Sequence, residues 1–220
     1  PALLTAATGM DAISHCIETF ISPVDNPVAA AIAIDGLERA IVALPRAVSH
    51  PNDLHARREM MIAAMEGALA FQKGLGAVHA LSHPLGGYRD LKLHHGTLNA
   101  ILLPPVLRFN ESVSAQTYPR LKRAVGLEAQ GDFAAFMHRF AASLGIPMRL
   151  RDLHVPHEIL SDVARLACLD HACAYTGLGY KPWKRRQCNL GAVRISTSLV
   201  THCLAGCTER RSVGGDQCRC

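Results

Sequence analysis

Residues 74–99, GLGAVHALSHPLGGYRDLKLHHGTLN, hold four of the chain's twelve histidines: His79, His83, His94 and His95. His79 and His83 are one helical turn apart, so a helix sets both imidazoles on one face. Pro84, Gly86 and Gly87 then end the helix and let the chain fold back, which can return His95 to the neighbourhood of His79. Imidazole nitrogen suits Zn or Fe, so the cluster raises the question of a metal, which needs further donors to become serious. Asp11 and His15, which with Glu18 lie at i, i+4 and i+7 of MDAISHCIETFIS, offer candidates, and Glu18 reads as a supporting or structural residue on the same stripe. One reading of that stripe is the ordinary solvated face of an amphipathic helix. Against it, the stripe lacks Lys and Arg, and a carboxylate one turn from an imidazole can direct two donor atoms at one cation, as paired histidines do in HExxH.

The elements that must position these residues read as helices. After Thr8-Gly9, the residues Ala12, Ile13, Cys16, Ile17, Phe20 and Ile21 form an apolar face at helical spacing. A second helix is expected from an Asn26 cap and Pro27 to Leu44, stopping before Pro45. A third follows Pro51-Asn52-Asp53 and is closed by Gly74. Ala29, Ala33, Gly36, Ala63 and Gly67 allow close helix approach, and Met60, Met61 and Met65 read as core filler. TLNAILLPPVLRFN reads as a short apolar helix broken at Pro104-Pro105. Helices are also expected over 118–126, 133–144 and 156–168. Before residue 170 no stretch alternates apolar and polar residues as a strand would. The fold expected is all-α, an antiparallel helical bundle-like domain over residues 1–172.

Composition narrows the function classes. The formal charge of +5 suggests nucleic acid until it is divided: residues 1–170 carry 15 Lys/Arg against 16 Asp/Glu, and the excess lies in the last fifty residues. Seven of the eight cysteines also lie between Cys168 and Cys220. The main body, with Cys16 alone before them, suits a reducing compartment, and no apolar run is long enough to span a bilayer or resembles a signal peptide, so the expectation is a cytoplasmic protein with neither nucleic-acid nor membrane partners. Asn110-Glu111-Ser112 matches a glycosylation sequon by coincidence in that setting. His50, His55, His138, His154 and His157 read as surface or capping residues. The chain opens on Pro1 and enters an element within a few residues, which reads as a fragment or truncated gene product. Residues 173–220 read as an irregular, basic, Cys-rich tail without a CxxC pair, better explained as a foreign or out-of-frame end than as a basic appendage for anionic surfaces.

Four stretches in order, LTAATGMDAISHCIETFIS, GAVHALSHPLGG, HHGTLNAILLP and SLGIPMRLRDL, resemble the C-terminal helical domain of the iron-containing alcohol dehydrogenase family. The resemblance covers about residues 1–170. It implies the C-terminal half of a two-domain dehydrogenase whose nucleotide-binding half is absent from this sequence: no Gly-rich pyrophosphate loop occurs before residue 170. It also implies metal ligands at Asp11, His15, His79 and His95, with His83 a catalytic group on the nicotinamide side. The loop between Gly86 and His95 is about two residues longer than in many members, and of the doubled His94-His95 the second precedes Gly96, as the motif requires. Metal-independent relatives that reduce maleylacetate differ around these histidines, and this chain follows the alcohol dehydrogenase pattern.

The cofactors so implied are a divalent metal, Fe(II) with Zn(II) as the alternative, and NAD(P) in the complete enzyme. The partners are a small alcohol or aldehyde, the nucleotide-binding domain and, as an assembly, a homo-oligomer. The function expected is NAD(P)-dependent interconversion of an alcohol with an aldehyde or ketone, inactive in this chain alone. The alternative is a non-catalytic metal-binding or assembly remnant, with helical faces kept only for packing.

Overall fold

The computed structural model describes residues 1–172, so the expectations for the tail lie outside the described residues. Eight α-helices follow one another without a strand among the described residues: α1 (Ala2–Ile21), α2 (Pro27–Ser49), α3 (Leu54–Ala70), α4 (Ala77–Gly86), α5 (His95–Glu111), α6 (Tyr118–Ala124), α7 (Phe133–Ser143) and α8 (Leu160–Ala167). Short connections at 22–26 and 50–53 fold α1, α2 and α3 against one another as neighbours. α5 packs on α1, α4 and α7, and α8 closes on α4. The all-α architecture is the one the helical periodicity required.

α1 is the hub of the core. Met10, Ile13 and Ile17 are fully buried with Leu37 and Leu44 of α2 and Leu98, Ile101 and Leu102 of α5. Burial of each such side chain contributes roughly 1.5–3 kcal/mol. α1 starts several residues before Gly9, which therefore lies inside the helix instead of at its threshold. A methyl group on Gly9 would overlap the Leu44 side chain, so the glycine marks the crossing of α1 and α2 and not a helix start.

Three prolines expected to stop or break helices do not. Pro45 lies inside α2, and Pro104-Pro105 lie inside α5. Each lacks an N–H and costs about 3 kcal/mol in an isolated helix. In α5, however, Leu102, Leu103, Val106 and Leu107 are all buried around the break. Their combined burial exceeds the backbone cost, and the helix continues to Glu111. Pro45 is likewise flanked by buried Leu44 and Ala47.

The end of α1 is fixed by a cation. Lys73 is buried, and its ammonium donates to the carbonyls of Thr19, Phe20 and Ser22 at 3.0, 3.1 and 2.7 Å. The terminal carbonyls, which have no partner within the helix, are thereby satisfied by a positive charge at the negative end of the dipole. Ser22 Oγ donates back to the Lys73 carbonyl at 2.7 Å. A 3-10 turn over Phe71–Lys73 is thus tied to α1, and Gly74 leaves it at φ 106°, the left-handed geometry expected of that glycine. The Asn26 cap also stands, accepting from Ala29 N at 3.0 Å, and Asp53 caps α3 in the same way, accepting from Ala56 N at 3.0 Å.

The methionines depart from expectation. Met60 is partly buried, but Met61 is 73% exposed and Met65 is also exposed, so they are not core filler. α3 is apolar on both faces, and the buried one uses only small residues, Ala56, Ala63, Gly67 and Ala70. A methyl group on Gly67 would stand 3.2 Å from the Ala12 carbonyl, the close approach that its lack of a side chain predicts. The large residues of α3 are consequently left on the outside.

Candidate metal centre

Three helices deliver the candidate donors. Asp11 and His15 come from α1, His79 from α4 and His95 from the first position of α5. Asp11 Oδ1 lies 3.6 Å from His79 Nε2 and 3.5 Å from His95 Nε2. One donor atom from each of Asp11, His15 and His79 lies within 4.8 Å of the other two. The rings of His15 and His79 stack at 4.5 Å, and His79 lies 5.4 Å from His95. His79 forms the floor at 1% side-chain exposure, while His95 at 40% forms the rim, so the cluster opens on one side. His94, the neighbour of His95, is exposed, as are His50, His55, His138, His154 and His157. A cavity of about 230 Å³ lined by Thr5, Thr8, Arg57 and Met60 lies elsewhere and holds none of these histidines.

The local sequence explains how the donors meet. Gly96 follows His95, and a methyl group there would overlap the Ala7 carbonyl and stand 3.3 Å from Asp11 Cβ. Only glycine lets the start of α5 lie against α1 closely enough for His95 to reach Asp11. Gly76 has the same function before α4, where a methyl group would stand 2.6 Å from Glu18 Oε1.

Glu18 is not solvated. It is 3% exposed and accepts from the backbone N–H groups of Val78 and His79 at 2.7 and 3.3 Å and from His79 Nδ1 at 2.7 Å. The carboxylate caps the N-terminus of α4 and, by taking the Nδ1 proton, aims Nε2 at Asp11. Of the stripe Asp11, His15 and Glu18, Glu18 is thus buried against α4, and Asp11 and His15 are partly buried instead of forming an open solvated face.

The electrostatics favour a cation. Burial works against ionisation of Asp11, but the hydrogen bond with His79, the nearby His15 and His95 and the Asn99 amide together hold its carboxyl at about 2. Burial, then the neighbouring His79, pushes His15 down to about 4, and His95 is also lowered, first by burial. His79 moves the other way: burial would lower it, yet Asp11 and Glu18 raise it to about 9. Positive charge is therefore favoured at His79 Nε2, and a bound cation would take the place of the proton there. Cys16, one residue on from His15, is held as a neutral thiol at about 12 by burial and then by Glu66, and offers no thiolate.

Asn99 tests whether this donor set fits a cation. Its Nδ2 lies 2.6 Å from Asp11 Oδ1, 3.0 Å from His95 Nε2 and 3.2 Å from His79 Nε2, while its Oδ1 is buried without a hydrogen-bond partner. Once His79 gives up its Nε2 proton to a cation, two amide protons cannot serve three acceptors. The surplus electron pairs converging on one point suit a divalent cation, with one carboxylate and three imidazoles leaving room for a further ligand.

His83 stands beside this cluster, its ring stacked on His95 at 5.6 Å. Its Nδ1 lies 2.8 Å from Asp170 Oδ2. Asn99 and Asp170 are site residues that sequence reasoning missed. Asn99 follows His95 by four residues on the same helix and could have been found by spacing. Asp170 reaches His83 across 87 residues and leaves no local signal.

A sequence profile described as "Fe-containing alcohol dehydrogenase family, C-terminal" matches residues 5–185. The 4-hydroxybutyrate dehydrogenase of Cupriavidus necator is 51% identical over 178 residues, covering 78% of this chain and 47% of that protein. The 1,3-propanediol dehydrogenase of Klebsiella pneumoniae is 37% identical over 179 residues, covering 77% and 46%. Among solved structures, a 1,3-propanediol oxidoreductase superposes with a TM-score of 0.83 at 31% identity, over 93% of this chain and 52% of the other. Maleylacetate reductase from Rhizobium sp. strain MTP-10005 superposes at 0.75 with 27% identity. The chain spans about half the length of the curated relatives it matches.

Proposed function

The chain belongs to the Fe-containing alcohol dehydrogenase family as its C-terminal domain, and we propose that it is the metal-binding half of an NAD(P)-dependent oxidoreductase that interconverts an alcohol with an aldehyde or ketone. The observation that carries this reading is the grouping of Asp11, His15 and His79 donor atoms within 4.8 Å of one another, with His95 Nε2 at the rim 3.5 Å from Asp11 Oδ1. These four residues would hold the cation. When bound, a divalent metal, Fe(II) or alternatively Zn(II), supplies Lewis acidity toward an alcohol or carbonyl oxygen, and NAD(P) on the complementary domain supplies the hydride acceptor or donor.

The chain's own residues prepare that site. Asp11 is ionised and His15 neutral at neutral pH, so both offer electron pairs. Glu18 fixes the orientation of the His79 ring, and Asn99 orients Asp11 by its hydrogen bond to Oδ1. His83, with Nδ1 directed at Asp170, keeps Nε2 free to hold or pass a proton beside the rim. Half-exposed His95, Asp11 and His83 face outward, where the nucleotide-binding half of a complete relative would complete the site.

Elemental analysis of the purified chain and of Asp11→Ala, His15→Ala, His79→Ala and His95→Ala tests the site. Co-purified iron or zinc in the wild type is expected to fall in all four variants, and unchanged content would end the assignment. Incubated alone with NADH or NADPH and short aldehydes, the chain is expected to turn over little or nothing. A robust rate would show that a nucleotide-binding half is not needed.

A further inference from the structure

Beyond the four-donor centre, the described residues assemble a second group of metal-competent side chains. His83 lies near the end of α4, and Asp170 and His171 follow α8, which packs directly on α4. Asp170 bridges the two imidazoles: its Oδ2 is 2.8 Å from His83 Nδ1 and its Oδ1 is 3.4 Å from His171 Nδ1. The rings of His83 and His171 face each other at 5.8 Å with 21° between their planes. One donor atom from each of the three residues lies within 4.8 Å of the other two. The carboxylate is held in place, because Oδ1 accepts from Ala172 N at 2.8 Å. Exposure rises from Asp170 at 14% through His83 at 33% to His171 at 80%, giving the group a buried base and an open mouth.

We propose that His83, Asp170 and His171 form a second divalent-cation site, adjacent to the first and sharing no ligand with it. Two imidazoles and one carboxylate make a three-donor set that leaves positions for water or a small oxygen ligand. Nitrogen donors direct it to borderline cations, Zn(II), Co(II) or Ni(II), and away from Mg(II) and Ca(II), which take oxygen. The 3.4 Å between Asp170 Oδ1 and His171 Nδ1 is close to the separation of about 3.3 Å expected between donors bound 2.0–2.1 Å from a tetrahedral ion. Entry of the ion requires the His83 Nδ1 electron pair, so the proton directed at Asp170 moves to Nε2 or leaves to water. With one donor fewer than the first site, the second binds more weakly and fills after it.

The proposal does not depend on the function assigned to the first site, and the two can be tested apart. Chelator-stripped chain with its thiols alkylated is titrated with Zn(II) against a chromophoric chelator, and the same series is followed with Co(II) by visible absorption. His171→Ala is expected to bind one equivalent fewer than the wild type, losing the weaker step and keeping the tighter one, with an unchanged thermal midpoint by circular dichroism. Asp11→Ala is expected to lose the tighter step and keep the weaker. Equal stoichiometry and affinities in the wild type and His171→Ala would overturn the second site, whatever Asp11→Ala does. Equal binding in the wild type and Asp11→Ala would instead strike at the first site and leave the second standing.

Discussion

At the scale of residues, the side chains behind the donors decide how well a cation is held. Removing the amide in Asn99→Ala takes from Asp11 the amide donor at Oδ1 and opens a void beside His79 and His95. Residues in such supporting positions typically affect metal affinity about 10- to 100-fold, and a weakening of that size is expected in chelator competition. A separate charge cluster yields a pH dependence. Burial first, then the neighbouring Asp35 carboxylate, raises Glu66 to about 7, against the pull of Arg39. The unfolded chain releases this proton near the ordinary value of 4.5 and the folded chain only near 7, so the stability favoured by protonated Glu66 is lost as pH rises through that window. Glu66→Gln is therefore expected to melt higher than the wild type at pH 8 and at a similar temperature at pH 4, measured by thermal denaturation. The candidacy of Asp11, His15, His79, His83 and His95 was legible because it depends on local spacing within short motifs. Asp170 was not, since its relation to His83 exists only after α8 has docked on α4.

At the scale of elements, the places where sequence and structure part share one cause. Pro45, Pro104 and Pro105 carry a local stop signal, and Gly9 resembles a start signal, yet each is overruled by burial that no single segment displays. The same rule grades the glycines. An added methyl in Gly96→Ala meets the rigid Ala7 carbonyl, whereas in Gly9→Ala it meets the end of Leu44, which can rotate. Overpacking costs typically about 1–3 kcal/mol and more against backbone. Gly96→Ala is expected to lose about 3 kcal/mol or more in urea denaturation and to weaken metal binding with it, and Gly9→Ala to lose less and keep the metal. The cap at Asn26, the left-handed Gly74 and the all-α class were legible because they depend on chemistry within a few residues. The direction in which α3 presents its methionines was not, because both of its faces are apolar and only packing on α1 and α2 chooses between them.

At the scale of the whole molecule, the chain matches about half of each relative, and its candidate centre lies at a rim and not within the cavity between α1, α2 and α3. What makes that rim firm is the tie between helices distant in sequence, above all Glu18 of α1 holding the start of α4. First-turn amides of a helix have no partner within it and ordinarily exchange their protons with solvent almost as readily as those of a loop. Val78 and His79 donate theirs to a carboxylate sixty residues away that water does not reach. Their hydrogen–deuterium exchange is expected to be as slow as that of the buried middle of α1 and to accelerate in Glu18→Ala. These two amides thus keep time for the parting of α1 from α4, reporting how often the floor of the centre comes apart in a protein that is otherwise folded.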